Sequence, residues 1–347
     1  DYNERTSVAS FRFFFGYLGG IGMAFLTLMV FLAPTEEYEV GQLNPMGYWR
    51  FAVFGSLAMF LAIIASSLGT LHRVKYFKPP PPSPWLGIFN TLGQMRQTFS
   101  HKGFLALLGF GLLKYTGIGM TSALSIYFGT YLWSLTSSQL AILVLDSLVG
   151  ASLGLFIAPL LSRKFGKRNA AIGLAVLAVM FGATPYILRL TGLFFENGDP
   201  LLVPTLFLIS SLYNMCGFSS AVLTHAMVGD VVEESQLATG RRSEGLFYAA
   251  NTFMQKATSG LGVFIAGMLI AFVGLSPGSS PETIDPAIPL QLAIVYVPAL
   301  LILYLSAAAF LIFYEIDRNS HEANLEKLRI RDREAEYGVE TIASSAN

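Results

Sequence analysis

The sequence predicts an all-α polytopic membrane protein, and three observations support that fold class. Of its 347 residues 53% are hydrophobic and only 13% are charged, with a mean hydropathy of +0.56, whereas soluble domains carry about 25% charged residues. Eight apolar stretches could each cross about 30 Å of hydrocarbon as a helix. None shows the strict alternation of a membrane β-barrel strand. The formal net charge of zero gives no support for nucleic-acid binding.

The eight predicted spans are bounded by polar or Gly/Pro-containing segments. They lie near residues 11–33, 48–69, 104–132, 138–161, 169–190, 201–228, 245–274 and 289–314. The loops between them alternate in positive charge. Lys and Arg occur at 70–103, 162–168, 229–244 and after 314, and are missing from 34–47, 133–137, 191–200 and 275–288. Because positive loops stay in the cytoplasm, we expect both ends of this chain there, in the plasma (bacterial inner) membrane.

The segment 70–103 divides the chain into two unequal groups of spans. Its proline run, KPPPPSP, predicts a stiff extended linker, and WLGIFNTLGQMRQTFSHK after it could form a helix on the membrane surface. A linker is the favoured interpretation, and a docking motif is the alternative. Two spans then precede the linker within 1–69, six follow it within 104–314, and 315–347 forms a charged cytoplasmic tail.

Two charges of opposite sign lie deep in the third and fourth predicted spans. Lys114 is about ten residues into its span and Asp146 about eight into the next, which runs back. At about 1.5 Å per residue both lie near the membrane midplane, where they could pair. Two interpretations stay open, a buried ion pair that fixes helix register and a gating or coupling pair beside a cavity.

Lys256 marks a polar stripe in the seventh predicted span. Asn251, Thr252, Gln255 and Ser259 make its neighbourhood polar, and Thr252 and Lys256, four residues apart, share one helix face. Because a charge inside the hydrocarbon must face protein or water, a water-filled substrate path is the favoured interpretation. A purely structural buried lysine is the alternative.

Known enzyme signatures are missing from the sequence. It contains no nucleophile elbow, HExxH motif or phosphate-binding glycine loop, and its single cysteine, Cys216, lies in an apolar run without Cys/His metal-ligand spacing. We therefore predict neither an enzyme nor a resident cofactor or metal.

Three stretches together carry a family resemblance. They are the opening DYNERTSVASFR, the basic turn LSRKFGKR, and residues 226–262, AMVGDVVEESQLATGRRSEGLFYAANTFMQKATSGLG. The chain resembles the glycoside–pentoside–hexuronide:cation symporters, the melibiose-permease-like branch of the major facilitator superfamily. The resemblance implies twelve spans in two six-helix bundles that rock about a central cavity. This chain would match spans five to twelve, so we expect an N-terminally incomplete transporter, with a natural eight-span protein as the alternative.

The resemblance also implies roles for individual residues. Arg12 matches an arginine that helps hold the sugar, and Thr252 and Lys256, with their neighbour Asn251, match a region close to the sugar and cation sites. A cytoplasmic charge network would latch the two bundles in one state, and the alternative is a solvated face. Its members in this chain are Asp230, Glu233, Arg241, Arg242 and Glu244, with Lys114 and Asp146 as possible gating partners.

The implied function is sugar:cation symport by alternating access across the lipid bilayer, with a sugar or sugar acid as substrate and Na⁺, Li⁺ or H⁺ as coupling cation. The family's cation-binding acids lie in spans that this chain does not contain. The position of the family's sugar-stacking tryptophan falls on Ala221, which leaves room for another substrate. Two other functions stay open, transport of a lipid or amphiphile in the same fold and a transport-inactive sensor or scaffold that uses the tail.

Overall fold

A computed structural model describes residues 15–16, 18–76, 93, 100–240, 243–275, 284–316, 320, 323–324 and 326–330. Eight apolar helices follow one another along these residues. They are α1 (Leu18–Phe31), α2 (Pro45–Leu71), α3 (Lys102–Leu132), α4 (Ser137–Phe165), α5 (Lys167–Leu190), α6 (Leu202–Thr239), α7 (Glu244–Phe272) and α8 (Ala287–Phe313). Within this described part, α2 to α8 are long and apolar enough to cross a membrane. The predicted all-α polytopic membrane fold is confirmed.

The six helices α3 to α8 pack into one unit. α3 lies chiefly against α7 and α8, α6 lies against α4 and α5, and α8 also contacts α5. Gly150 and Gly154, four residues apart on α4, have the spacing that lets membrane helices approach closely. A Cβ atom on Gly150 would lie 2.6 Å from the Asn214 Cβ, so that only glycine allows α4 and α6 to approach this closely. Gly16 and Gly20 have the same spacing, but no other described residue would lie within 4 Å of a Cβ atom at either position.

Helices α1 and α2 form a separate pair beside this unit, and α1 contacts the first half of α4. The Asn44 side chain accepts hydrogen bonds from the backbone N–H groups of Met46 and Gly47, and Pro45 occupies the first helical position. This asparagine cap followed by proline is a strong start signal for α2.

Helix α4 is irregular near its middle. Its first part, Ser137–Val144, begins with a capping box between Thr136 and Gln139, and its second part begins at Asp146. Between them Leu145 bonds through its N–H to the Ile142 carbonyl, three residues back, as in a tighter 3₁₀ turn. The irregularity therefore places Asp146 at the junction of two helical segments.

The predicted proline linker and surface helix lie mostly outside the described residues, as does most of the tail. The division into 1–69, 70–103, 104–314 and 315–347 stays a prediction. Helix α6 extends 11 residues beyond the predicted span end at 228, to Thr239. The charged residues after 228 are helical too, and a hydropathy criterion sees only the apolar part of such a helix.

Candidate functional site

A cavity of about 460 Å³ lies inside the six-helix unit. Helices α3, α4, α5, α6 and α8 all contribute to its wall, and Leu28 of α1 also lines it. Ligand pockets in proteins typically measure about 300 to 1,000 Å³. The cavity is therefore large enough for a small molecule, and it lies within helices that otherwise present apolar surface.

Asp146 lines this cavity at the irregularity of α4. One of its carboxylate oxygens, Oδ1, accepts a hydrogen bond from the Asn214 side-chain amide at 3.0 Å, and Ser210 also hydrogen-bonds the carboxyl group. Both partners lie on α6, one helical turn apart. A carboxylate can accept about four hydrogen bonds, so this arrangement orients Asp146 and leaves acceptor capacity toward the cavity.

The predicted pairing of Lys114 with Asp146 is wrong in this structure. The Lys114 ammonium group donates to the Gly217 carbonyl at 3.1 Å and lies 5.2 Å from the Phe110 ring centroid, with only 1% of the residue exposed. Asp146 is held by Asn214 instead. The sequence predicts a similar depth in the membrane for both charged residues, but depth along a helix does not determine which neighbouring helix a side chain faces. Helix α6 supplies a neutral partner to each of them.

Hydroxyl groups occupy another part of the cavity wall. Thr121 and Tyr296 hydrogen-bond each other at 2.9 Å. Tyr213, which lines the cavity, pairs with the Tyr304 hydroxyl at 2.8 Å. In each pair either oxygen can be the donor, so these groups can donate to or accept from a ligand.

Four aromatic rings also line the cavity. Phe128, Tyr186 and Tyr296 lie with ring centroids 4.6 to 5.0 Å apart, and Trp133 lies 6.0 Å from Tyr186. Rings packed at these distances form a rigid wall that a flat apolar surface can stack against.

The predicted substrate residues of α7 are split between two faces of that helix. Thr252 and Lys256 lie together on its exposed face, whereas Asn251 is buried at 9% exposure. None of the three lines the cavity described above. Lys256 is thus open to its surroundings and is not sealed in a core. Its role in substrate binding stays a prediction, and Arg12 lies outside the described residues.

Asp230 lies toward the end of α6 that is far from the cavity, and it forms a cluster with Lys167 and Tyr314. The Lys167 ammonium group contacts both carboxylate oxygens, at 2.6 and 2.8 Å, and the Tyr314 hydroxyl donates to Oδ2 at 3.2 Å. Asp230 is about 28 residues into α6, or roughly 42 Å from its start, so the cluster lies beyond an apolar layer about 30 Å thick. Burial and the nearby Asp230 carboxylate raise the pKa of the Tyr314 hydroxyl well above its usual value.

This cluster corresponds in part to the predicted cytoplasmic network. Lys167 and Asp230 lie on α5 and α6, so their ion pair acts within the six-helix unit and does not latch it to another bundle. Glu233 is half-buried on α6, and Glu244 is exposed in the first turn of α7. Arg241 and Arg242 lie outside the described residues, and the latch across bundles stays a prediction.

His101 adds a titratable group beside the same cluster. Its Nδ1 accepts from the Phe104 backbone N–H at 3.4 Å and so caps α3, while Nε2 lies 3.5 Å from the Glu234 carboxylate. Burial lowers the pKa of the His101 imidazole, and the Glu234 carboxylate partly opposes that effect. The neutral ring, with Nδ1 free to accept, is therefore the form that the fold favours.

A second set of contacts joins α1 and its following loop to the start of α4. The Ser137 hydroxyl donates to the Leu32 carbonyl at 2.6 Å and contacts the Gln42 side-chain oxygen at 3.1 Å, and the Gln42 amide donates to the Leu135 carbonyl at 3.2 Å. Ser137 is 2% exposed and Gln42 is 5% exposed. We call these contacts the loop clasp. It lies at the end of the helices that the loop charges predict to be extracellular.

Sequence reasoning missed Lys167, Tyr314, Ser137 and Gln42. Lys167 belongs to the basic turn at 162–168, which indicated orientation but gave no partner. Ser137 begins α4 and Gln42 lies between α1 and α2, and the two residues are 95 positions apart in the sequence. Nothing in the local pattern signals their contact.

Comparison with known proteins is consistent with this architecture. The family described as MFS/sugar transport protein matches residues 1–318. A relative named as a 2,3-dihydroxypropane-1-sulfonate exporter, from Escherichia coli strain K12, is 25% identical over 96% of this chain and 67% of its own length. The symporter YjmB of Bacillus subtilis strain 168 is 24% identical over 92% of this chain and 64% of its own.

An isoprimeverose transporter from Lactiplantibacillus pentosus is 22% identical over 91% of this chain and 61% of its own length. The chain therefore spans about two thirds or less of the length of these relatives.

Proposed function

The chain belongs to the MFS/sugar transport protein family, and from that membership we propose that it acts in a secondary transporter that moves a sugar together with a cation. The family and the relatives are membrane transporters and not enzymes. The chain is a multi-pass membrane protein, and we place it in the plasma membrane with both of its ends in the cytoplasm. Symport of a sugar is supported by relatives named as a symporter and as an isoprimeverose transporter.

The loop clasp is the observation that best supports an alternating-access mechanism. It joins the α1/α2 pair to the six-helix unit through buried hydrogen bonds from Ser137 and Gln42 to residues far away in the sequence. Two bodies joined at one end can open at that end only if those bonds break. The proposal assigns the clasp to the closed extracellular side of the transporter.

Binding of substrate and binding of the cation would be coupled because both shift the equilibrium between the closed and the open state of the clasp. A ligand shifts the equilibrium between two states only by its difference in affinity for them, and the coupling between two ligands is reciprocal. In this account Arg12, Thr252 and Lys256 contact the substrate, and Lys256 also contacts the cation site. The exposed face of α7 that carries Thr252 and Lys256 is compatible with such a role.

Uptake by proteoliposomes tests the proposal. Labelled D-xylose, D-glucose and melibiose are offered under an imposed Na⁺ gradient or pH gradient, with Lys256→Ala and Arg12→Ala as site variants. We expect gradient-driven accumulation by the parent protein and loss of uptake in both variants at equal protein levels. Lys75→Ala, which removes an exposed cation after α2, is the control.

Three outcomes argue against the proposal. Normal uptake by both site variants contradicts the substrate roles. Movement of a fluorescent lysophospholipid, with none of the sugars, favours an amphiphile carrier of the same fold. Sugar binding without flux favours a sensor.

A further inference from the structure

The cavity beside Asp146 has a polar character that packing alone does not require. Helices in a bilayer need small residues for close approach, yet here a carboxylate, an amide and several hydroxyl groups gather around about 460 Å³ of open space. A charged side chain inside a membrane span is costly unless it faces protein partners, water or a ligand. Asp146 has neutral donors on α6 and an open side toward the cavity.

The geometry points to this cavity as a binding site for an uncharged polyhydroxy ligand, with Asp146 as the residue that selects against anions. The site is separate from the predicted site on α7, because Thr252 and Lys256 do not line it. The inference rests on the proposed transport function for its substrate class, and it concerns a site formed almost entirely by the six-helix unit.

The polar groups of the cavity wall are complementary to the hydroxyl groups of a sugar. A sugar hydroxyl both donates and accepts. Asp146 offers acceptor oxygens, while the Thr121–Tyr296 pair offers hydroxyls whose donor direction can reverse. The Asn214 amide, which also lines the cavity, holds Asp146 in place. A buried polar wall that pairs with ligand hydroxyls rejects ligands that leave its groups unpaired.

The aromatic rings of the cavity wall can pack against the ring of a sugar. Trp133, Tyr186 and Phe128 line the cavity together with hydroxyl and amide groups, and the Tyr186 ring contacts both of the other rings. A sugar ring presents one flat C–H face and a rim of hydroxyls. A wall that combines aromatic rings with hydrogen-bonding groups suits such a ligand.

Charge decides between neutral and acidic sugars. Among the described residues that line the cavity, Asp146 is the single Asp or Glu, and none is Lys, Arg or His. Lys114, the nearest candidate by sequence depth, bonds to the Gly217 carbonyl and does not line the cavity. A second negative charge placed beside Asp146 would be repelled in a low-dielectric site. The cavity therefore favours neutral sugars over hexuronates and sulfonates.

Fluorescence of Trp133 gives a binding readout that does not depend on flux. The protein contains three tryptophans, and replacing Trp49 and Trp85 by phenylalanine leaves Trp133 as the sole reporter. The full chain in nanodiscs is titrated with D-glucose and D-glucuronate, and with D-galactose and D-galacturonate. The members of each pair differ in one carboxylate.

We expect Trp133 emission to respond to at least one neutral sugar, with a dissociation constant at least tenfold lower than that of the matching acid. Asp146→Asn should bring this ratio toward one, because it keeps the shape and removes the charge. Glu36→Gln, which removes an exposed loop acid, should leave the ratio unchanged. An unchanged ratio in Asp146→Asn overturns the inference.

A second variant covers the case in which Asp146→Asn fails to fold. Ser125→Phe adds a ring to the cavity from α3, where Ser125 is exposed, and it should abolish the sugar response while the circular dichroism spectrum is retained. Retained binding in that variant overturns the inference. Flux without any Trp133 response also overturns it and leaves the proposed function standing. A Trp133 response without flux supports the site and contradicts the proposed function.

Discussion

The Ser137 hydroxyl donates a 2.6 Å hydrogen bond to the Leu32 carbonyl, across a sequence separation of 105 residues. Ser137 belongs to the six-helix unit, and Leu32 follows α1. Leu32 has no exposed surface and Ser137 is 2% exposed, so water cannot replace this bond while the end stays closed. Opening of that end requires the bond to break.

Ser137→Ala should therefore shift the protein toward the state that is open at the clasp. Losing a buried hydrogen bond and orphaning its acceptor costs about 1–3 kcal/mol, and about 1.4 kcal/mol changes a population tenfold. The measurement is the rate at which an impermeant maleimide labels Thr130→Cys, at a position in the last turn of α3 that is 3% exposed, in a Cys216→Ala background. We expect the rate to rise on the order of tenfold.

Ser56→Ala is the matched control for that experiment. The Ser56 hydroxyl is exposed and bonds only within α2, to the Ala52 carbonyl. Its removal should leave labelling unchanged. An equal rate in Ser137→Ala and in the control would contradict the assignment of a gate.

The Lys167–Asp230 ion pair should contribute measurably to stability. Asp230 is 6% exposed and Lys167 is 33% exposed at the side chain, so solvent screens the pair only in part. We expect Asp230→Asn to lower the free energy of unfolding by about 1–3 kcal/mol, and a cycle with Lys167→Met to show coupling between the two residues. Thermal unfolding in detergent measures both.

The exposed pair of Glu326 and Arg329 provides the comparison. Its side chains are 60% and 71% exposed, and such surface pairs contribute little. Arg329→Ala should leave the melting temperature unchanged. Equal effects at the two pairs would show that burial of Asp230 has no energetic consequence.

His101 should make stability depend on pH below about 6.5, the ordinary pKa of histidine. Burial lowers the pKa of the folded-state imidazole, so the folded state binds fewer protons than the unfolded state. The stability from neutral His101 is then present above about pH 6.5 and is lost as the pH falls toward the folded pKa. Protonation also removes the Nδ1 acceptor that caps Phe104.

His101→Asn isolates this effect, because an amide oxygen can cap the helix without titrating. We expect the loss of melting temperature between pH 7.5 and pH 5 to be smaller in His101→Asn than in the parent. His101→Ala should be less stable than the parent by about 1 kcal/mol at pH 7.5, the usual value of a helix cap, and this difference should shrink at pH 5. Identical pH profiles in parent and His101→Asn would exclude His101 as the source.

Gly150→Ala should destabilise the contact between α4 and α6. The added Cβ would lie 2.6 Å from the Asn214 Cβ and 2.7 Å from the Ser211 carbonyl oxygen, and such overpacking costs about 1–3 kcal/mol. The same substitution at Gly173, which has no neighbour within 4 Å, should be neutral or stabilising, since alanine favours a helix. Melting temperatures compare the two, and an equal change would contradict the packing.

The helices were predictable because their signal is local. Hydropathy located α2 to α8, and the four-residue spacing of Gly150 and Gly154 indicated a close helix contact that the structure contains. Helix ends were less accurate, as the extension of α6 to Thr239 shows, because charged residues continue a helix that apolar residues begin.

The site was less predictable, because its contacts depend on rotation about each helix axis. Equal depth suggested that Lys114 pairs with Asp146, but Gly217 and Asn214 on α6 lie nearer to them. The loop clasp could not be predicted, because a serine at the start of a helix and a glutamine between two helices are both common. Such contacts follow from the packing of whole helices.

A reversible crosslink at the clasp tests alternating access most directly. Cysteines replace Gln42 and Ser137, whose side chains are 3.1 Å apart, in a Cys216→Ala background, and sugar flux into proteoliposomes is measured before oxidation, after it and after reduction. The account predicts that the crosslink stops flux and that reduction restores it. Unchanged flux with the crosslink fully formed would contradict the claim that this end of the protein must open.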